Sequence, residues 1–301
     1  MKIHLGINNC FAVKRWPEPT AWARIVRENL GLGLVQFSWD LLDPRAEIGA
    51  LSKSVAEILE AVEQFDLQIS STFTGLGAYS SNLLLHPSEA MRADAQAWYA
   101  QAIELSSKLG AKATGGHFGA FSCEDYADAA RKSYLEDSLI ESIQHLSTLA
   151  KAKGLEQLLW EPMPLLREAP ATIEEAERLY EEANRSAAVP IRFCLDLGHQ
   201  CTAGVSSSDR DPYEWLRRIG ALCPYIHLQQ TDGDGDHHWP FTEEYNAAGI
   251  IHPEKVIESL EESGAKEVRL IFEVVHPFEE AEDRVLSDLE SSVDYWSPFL
   301  S

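Results

Sequence analysis

Eight short apolar stretches recur along the chain with helical patterns between them, and this alternation limits the possible folds more than any other feature. The stretches read as strands at KIHLGIN (2–8), LGLVQFS (32–38), LQISSTF (67–73), AKATGGH (111–117), QLLWEP (157–162), IRFCLD (191–196), YIHLQQ (225–230) and VRLIFEV (268–274). Leu51, Val55, Ile58, Leu59, Val62 and Phe65 form one intervening helical stripe. Leu139, Ile143, Leu146 and Leu149 form another. Thr172 stands three residues before Glu175, the spacing of a capping box. Strand and helix alternate without a linker or low-complexity block, which predicts an α/β protein: a single (β/α)8 barrel domain over residues 1–301. An open doubly wound sheet would need a glycine-rich turn after an early strand, and LGINNCFAV has none.

Two connections are too long for simple turns: TGLGAYSSNLLLHPS after the third strand and TDGDGDHHWPFTEEYNAAGIIHP after the seventh. In a barrel, both open on the C-terminal face, where active sites sit. Composition narrows the partners. The formal net charge of −23 argues against nucleic acid, which is bound through clustered Lys and Arg. Acidic runs such as EEAERLYEEANR read as solvated helix faces. No stretch reaches the about 18 apolar residues of a membrane span. The N-terminal MKIHLGINNCF lacks a signal-peptide layout, and the five cysteines are odd in number with no CxxC pair. A reduced, cytoplasmic protein is the expectation.

The ends of the last four strands carry unusual residues. The fifth ends in Glu161, the sixth in Asp196, the seventh carries His227 and the eighth carries Glu273. Three carboxylates on neighbouring strands would repel one another in a low-dielectric site. A divalent cation resolves the repulsion and uses the imidazole as well. An oxygen-rich site with one nitrogen is hard, so Mn²⁺ is the expected ion, with Mg²⁺, Co²⁺ or Zn²⁺ as alternatives.

The residues WEP with Glu161, DLGH with Asp196 and His199, YIHL with His227 and FEV with Glu273 resemble the xylose isomerase-like TIM-barrel superfamily, in particular its sugar isomerase and epimerase branch (D-tagatose 3-epimerase-like). The resemblance spans the whole chain. It implies that Glu161, Asp196, His227 and Glu273 bind one divalent metal, that Glu161 and Glu273 also move the substrate proton, and that His199 touches a substrate oxygen or the surroundings of the metal. The implied reaction is isomerisation or epimerisation of a keto sugar through a metal-stabilised enediolate.

Other residues near the rim are candidates for substrate contact: His117, Trp16, Trp39 and His238, with Trp160, Trp239 and His237 as further aromatic or loop candidates. Basic residues after the strands are few, among them Lys14, Arg15 and Arg167, so an unphosphorylated sugar or sugar acid is expected. The sequence QQTDGDGDHHW after the seventh strand replaces the acidic–Asn–Asp–Arg segment typical of the resembling epimerases. A decarboxylating lyase acting on a 3-oxo sugar acid is therefore the alternative enzyme, because the same four ligands serve it. A nuclease resembling endonuclease IV would use Asp236, His238 and His117, but the acidic charge and the absence of a histidine at the third strand end oppose it. A sugar-binding barrel without catalysis is a further reading. A homo-oligomer is possible.

Overall fold

The computed structural model describes residues 1–300. Eight parallel strands close in sequence order into a barrel: β1 (Lys2–Asn8), β2 (Leu34–Ser38), β3 (Gln68–Phe73), β4 (Ala113–Gly116), β5 (Gln157–Trp160), β6 (Ile191–Asp196), β7 (Tyr225–Leu228) and β8 (Glu267–Phe272). Helices separate them, as the alternation predicts. The longest are Ile48–Gln64, Glu89–Lys108 and Ala129–Ala152. Leu139, Ile143 and Leu146 on the last of these are fully buried, so the predicted stripe is the packed face. Internal contacts fall into two compact units: residues 1–37, 56–69 and 194–301 form one, and residues 38–55 and 70–193 the other. No helix among the described residues is long and apolar enough to cross a membrane.

Several strands are shorter than the apolar pattern suggests. β5 stops at Trp160, so Glu161 lies one residue past it; Pro162 comes next and has no N–H for the ladder. β8 stops at Phe272, leaving Glu273 just beyond. β7 stops at Leu228 because Gln230 leaves the barrel to pair antiparallel with Trp239. Two backbone hydrogen bonds hold that bridge, Gln230 N–H to Trp239 O at 2.8 Å and Trp239 N–H to Gln230 O at 3.2 Å. β4 ends at Gly116, whose φ of 144° suits glycine, and a side chain there would run into Thr74.

The cap at Thr172 is reciprocal but shifted. Its hydroxyl accepts the Glu175 N–H at 3.2 Å, whereas the Glu175 carboxylate accepts from Ala171 N–H at 2.8 Å, one residue earlier than in the usual box. The long connection after β3 holds two short helical turns, Leu76–Tyr79 and Leu83–Leu85. The connection after β7 holds Glu243–Asn246.

Candidate metal centre and active site

Strand register places the site. Successive side chains in a strand point to opposite faces. Asp196 pairs with His227, and His227 pairs with Ile271. Glu273, two residues past Ile271, shares its face. Phe193 pairs with Trp160, so Glu161 falls beside Cys194, on the face shared by Asp196. Asn8 pairs with Gln36, and Gly6 with Ile271, which brings two amides to the same face. Trp160 points the other way: it is buried and its indole N–H donates to Ala169 O at 3.0 Å. It is a packing residue and cannot wall a sugar.

Glu161, Asp196, His227 and Glu273 converge, each offering one ligand atom, with those atoms within 4.8 Å of one another. Asp196 and His227 are fully buried. The Nε2 atom of His227 lies 2.6 Å from Gln36 Oε1, so the side-chain carbonyl fixes the proton on that nitrogen and turns Nδ1 toward the carboxylates. His227 Nδ1 is 2.9 Å from Glu273 Oε2 and 3.7 Å from Asp196 Oδ2. Asn8 Nδ2 donates to Gln36 Oε1 at 3.1 Å and to Glu273 Oε1 at 2.8 Å, tying both groups to β1.

The residues fit a divalent ion. Asp196 Oδ1 accepts from Gly198 N–H at 2.6 Å and from Gln229 Nε2 at 2.8 Å, while buried Oδ2 has no hydrogen-bond donor. A buried carboxylate oxygen without a donor is costly. His227 Nδ1 and Glu273 Oε2, 2.9 Å apart, are close enough to share one small cation. Oxygen-rich donors with one imidazole suit a hard cation.

A second group adjoins the first: Asp196, His199 and His238 also bring ligand atoms within 4.8 Å. Asp236 sits between the two histidines, with Oδ2 3.4 Å from His199 Nε2 and Oδ1 3.3 Å from His238 Nε2. His238 has a φ of 51°, a left-handed backbone uncommon for a side chain of this size. Its Nδ1 reaches Glu273 O at 3.0 Å.

Charge reflects this packing. Burial pushes the Asp196 carboxyl above its ordinary range, only partly offset by His199, His238 and His227. Burial also opposes ionisation of Glu273, but His227 and then His238 outweigh it and hold the group at about 2. Burial likewise acts against a charged Asp236, yet His199 and His238 bring it well below the carboxylate range. For His238, burial disfavours the cation, but the hydrogen bond and charge of Asp236, with Asp196 and Glu273, raise the pKa to about 10.

The remaining candidates lie outside the two groups of ligand atoms. His117 lies just past β4, is buried, and meets Tyr79 edge-on at 5.3 Å between ring centroids. Trp39 lies just past β2 and lines a cleft of about 510 Å³ together with Trp98 and His86. Trp16 packs against Phe11. Trp239 stacks between His237, at 4.0 Å, and Tyr245, at 5.1 Å. Asn8, Gln36 and Gln229 adjoin the cluster and are missed by the motif reading. Their one signal in the sequence is a polar amide within a buried strand, as Gln36, at its last residue, as Asn8, or just past it, as Gln229.

This fold is a TIM barrel, with a cluster of carboxylates and histidine at the strand ends that could hold a metal ion. Residues 25–292 match the model of one family, described as xylose isomerase-like TIM barrel, and the chain belongs to that family. It is 28% identical over 303 residues to D-erythrulose 1-phosphate 3-epimerase of Brucella abortus (strain 2308), covering all of this chain and 97% of the relative. It is 31% identical to a putative xylose isomerase from Rhodospirillum rubrum ATCC 11170, whose crystal structure superposes with a TM-score of 0.92 over 98% of this chain and 99% of that one. The D-psicose 3-epimerase of Clostridium cellulolyticum H10 shares the fold, with a TM-score of 0.73, 16% identity and full coverage of both chains.

Proposed function

We propose that the chain is an isomerase or epimerase of a keto sugar that depends on one divalent metal, with Mn²⁺ the favoured ion. The observation carrying this reading is the convergence of Glu161, Asp196, His227 and Glu273 within 4.8 Å, all four of which would hold the ion. When bound, the ion supplies Lewis acidity that polarises a carbonyl and the adjacent hydroxyl. Glu161 and Glu273 are the proton carriers: one carboxylate removes the proton next to the carbonyl, and the other returns one to the opposite face of the resulting enediolate. Asn8 donates to Oε1 of Glu273 and so fixes the orientation of that carboxylate. His199 and His238 orient substrate oxygens, and His117, Trp16 and Trp39 are the further substrate contacts.

An unphosphorylated substrate is supported by the engagement of Lys14, Arg15 and Arg167 elsewhere. Arg15 Nη2 donates to Pro277 O at 2.6 Å and Glu280 O at 3.2 Å, Arg167 Nη1 donates to Phe121 O at 2.7 Å, and Lys14 lies over the Phe278 ring at 4.1 Å. A phosphorylated keto sugar is the second reading, favoured by the full-length likeness to an enzyme named for erythrulose 1-phosphate. The test incubates metal-loaded protein with free and phosphorylated tetruloses, pentuloses and hexuloses in D₂O. Interconversion with deuterium gained at the carbon beside the carbonyl is expected. Turnover of phosphorylated sugars alone selects the second reading, whereas CO₂ release from a 3-oxo sugar acid without any sugar interconversion replaces both with the lyase.

A further inference from the structure

One buried amide ties the loop after β7 to the carboxylate–histidine cluster. Gln229 lies one residue past β7 and is fully buried. Its Nε2 donates to Asp196 Oδ1 at 2.8 Å and to Asp236 Oδ1 at 2.7 Å, and its Oε1 accepts the backbone N–H of His238. Both amide protons and the carbonyl are thus engaged. Gly198 lies directly beneath: a side chain there would run into the Gln229 amide. The glycine of DLGH therefore has a packing reason independent of any turn.

We propose that Gln229 is a positioning residue that sets the Asp196 carboxylate for metal binding and locks Asp236 and His238 over it. Pinning Asp196 Oδ1 leaves Oδ2 as the oxygen 3.7 Å from His227 Nδ1. Pinning Asp236 Oδ1 leaves Oδ2 facing His199 at 3.4 Å. Holding the His238 N–H fixes a backbone with φ of 51°, which would otherwise relax. No other neutral side chain of this size combines two donors and one acceptor in this arrangement. Groups that orient metal ligands typically contribute 10- to 100-fold to metal affinity.

The inference rests on the proposed metal site, so the experiment begins with the wild type. Chelator-treated protein is titrated with Mn²⁺ by calorimetry and with Co²⁺, whose visible absorption reports ligand geometry. Gln229→Ala, Gly198→Ala and the double variant are then compared, with near-ultraviolet circular dichroism as the check on folding. Gln229→Ala should weaken Mn²⁺ binding by roughly 10- to 100-fold and change the Co²⁺ spectrum. Gly198→Ala, which keeps every polar group, should weaken binding too by displacing the amide. It should have no further effect in the Gln229→Ala background, where the space is open. If Gln229→Ala does not fold, Gly198→Ala alone decides. Wild type that binds no ion overturns the proposed function and this inference with it. Wild type that binds, with Gly198→Ala or Gln229→Ala unchanged in affinity and spectrum, overturns the inference alone.

Discussion

His227 Nδ1 stands 2.9 Å from Glu273 Oε2, with the imidazole fully buried. The opposite ring nitrogen meets Gln36 Oε1 at 2.6 Å. Gln36→Met should therefore free the ring to rotate or change tautomer. We expect a loss of roughly 10-fold or more in Mn²⁺ affinity. The buried imidazole N–H left without a partner should cost about 1–3 kcal/mol. Calorimetric titration and urea unfolding of the metal-free protein measure the two effects; unchanged values would show that Gln36 does not hold the histidine.

Glu161→Gln and Glu273→Gln keep the side-chain shape but cannot carry a proton. Each should lower turnover by about 10² to 10⁴ at saturating Mn²⁺. Steady-state kinetics on the sugar that exchanges deuterium is the measurement. Near-normal turnover in both variants would remove them from proton transfer.

The metal-free protein should lose stability on both sides of neutrality. Glu273 has a folded pKa of about 2 against an ordinary 4.5, so it contributes stability above 4.5 that is lost as pH falls toward 2. His238 runs the other way: its pKa of about 10 exceeds the ordinary 6.5, so its contribution is full below 6.5 and is lost as pH rises toward 10. Urea midpoints of chelator-treated protein should fall between pH 7 and 10. His238→Gln should flatten that alkaline slope, and an unchanged slope would assign it to another group.

The eight strands form one closed barrel, and we expect the chain to unfold as one domain. Tryptophan fluorescence and far-ultraviolet circular dichroism should give coincident urea transitions. Trp39, Trp98 and Trp160 lie in one compact unit, with Trp22, Trp215 and Trp296 in the other. Two separated transitions would mean that the units fold independently.

The barrel is legible in the sequence because most strands are compact apolar runs and stripes such as Leu139, Ile143 and Leu146 mark the helices between them. The four proposed metal ligands are legible because an ionisable side chain at the end of a buried strand is costly unless something compensates it. The supporting amides are much less so. Asn8 and Gln36 read as isolated polar residues until the pairing of β1 with β2 and β8 places them on the ligands' face. Trp160 misleads for the complementary reason: it adjoins Glu161 in sequence, and the alternation of a strand turns it to the opposite face. Strand lengths are overestimated where pairing ends inside the motif, as in QLLWEP, where Glu161 N–H still bonds Gly116 O at 3.0 Å but Pro162 has no N–H to continue.

The antiparallel bridge between Gln230 and Trp239 makes the segment bearing Asp236 and His238 a closed ring of backbone, tied at its neck by two hydrogen bonds. The entropy of closing that ring is met during folding, so these side chains are preorganised when a ligand arrives. The neck is itself braced by the outer half of the loop: the Gln230 amide donates to Asn246 Oδ1 at 2.8 Å and accepts from Ile251 N–H at 3.0 Å, and Ile250 N–H donates to Thr231 O at 2.8 Å. Insertions or deletions in residues 246–251 would therefore loosen the ring and shift Asp236 and His238. A relative can alter that outer half and keep the same inner constellation only by rebuilding the brace.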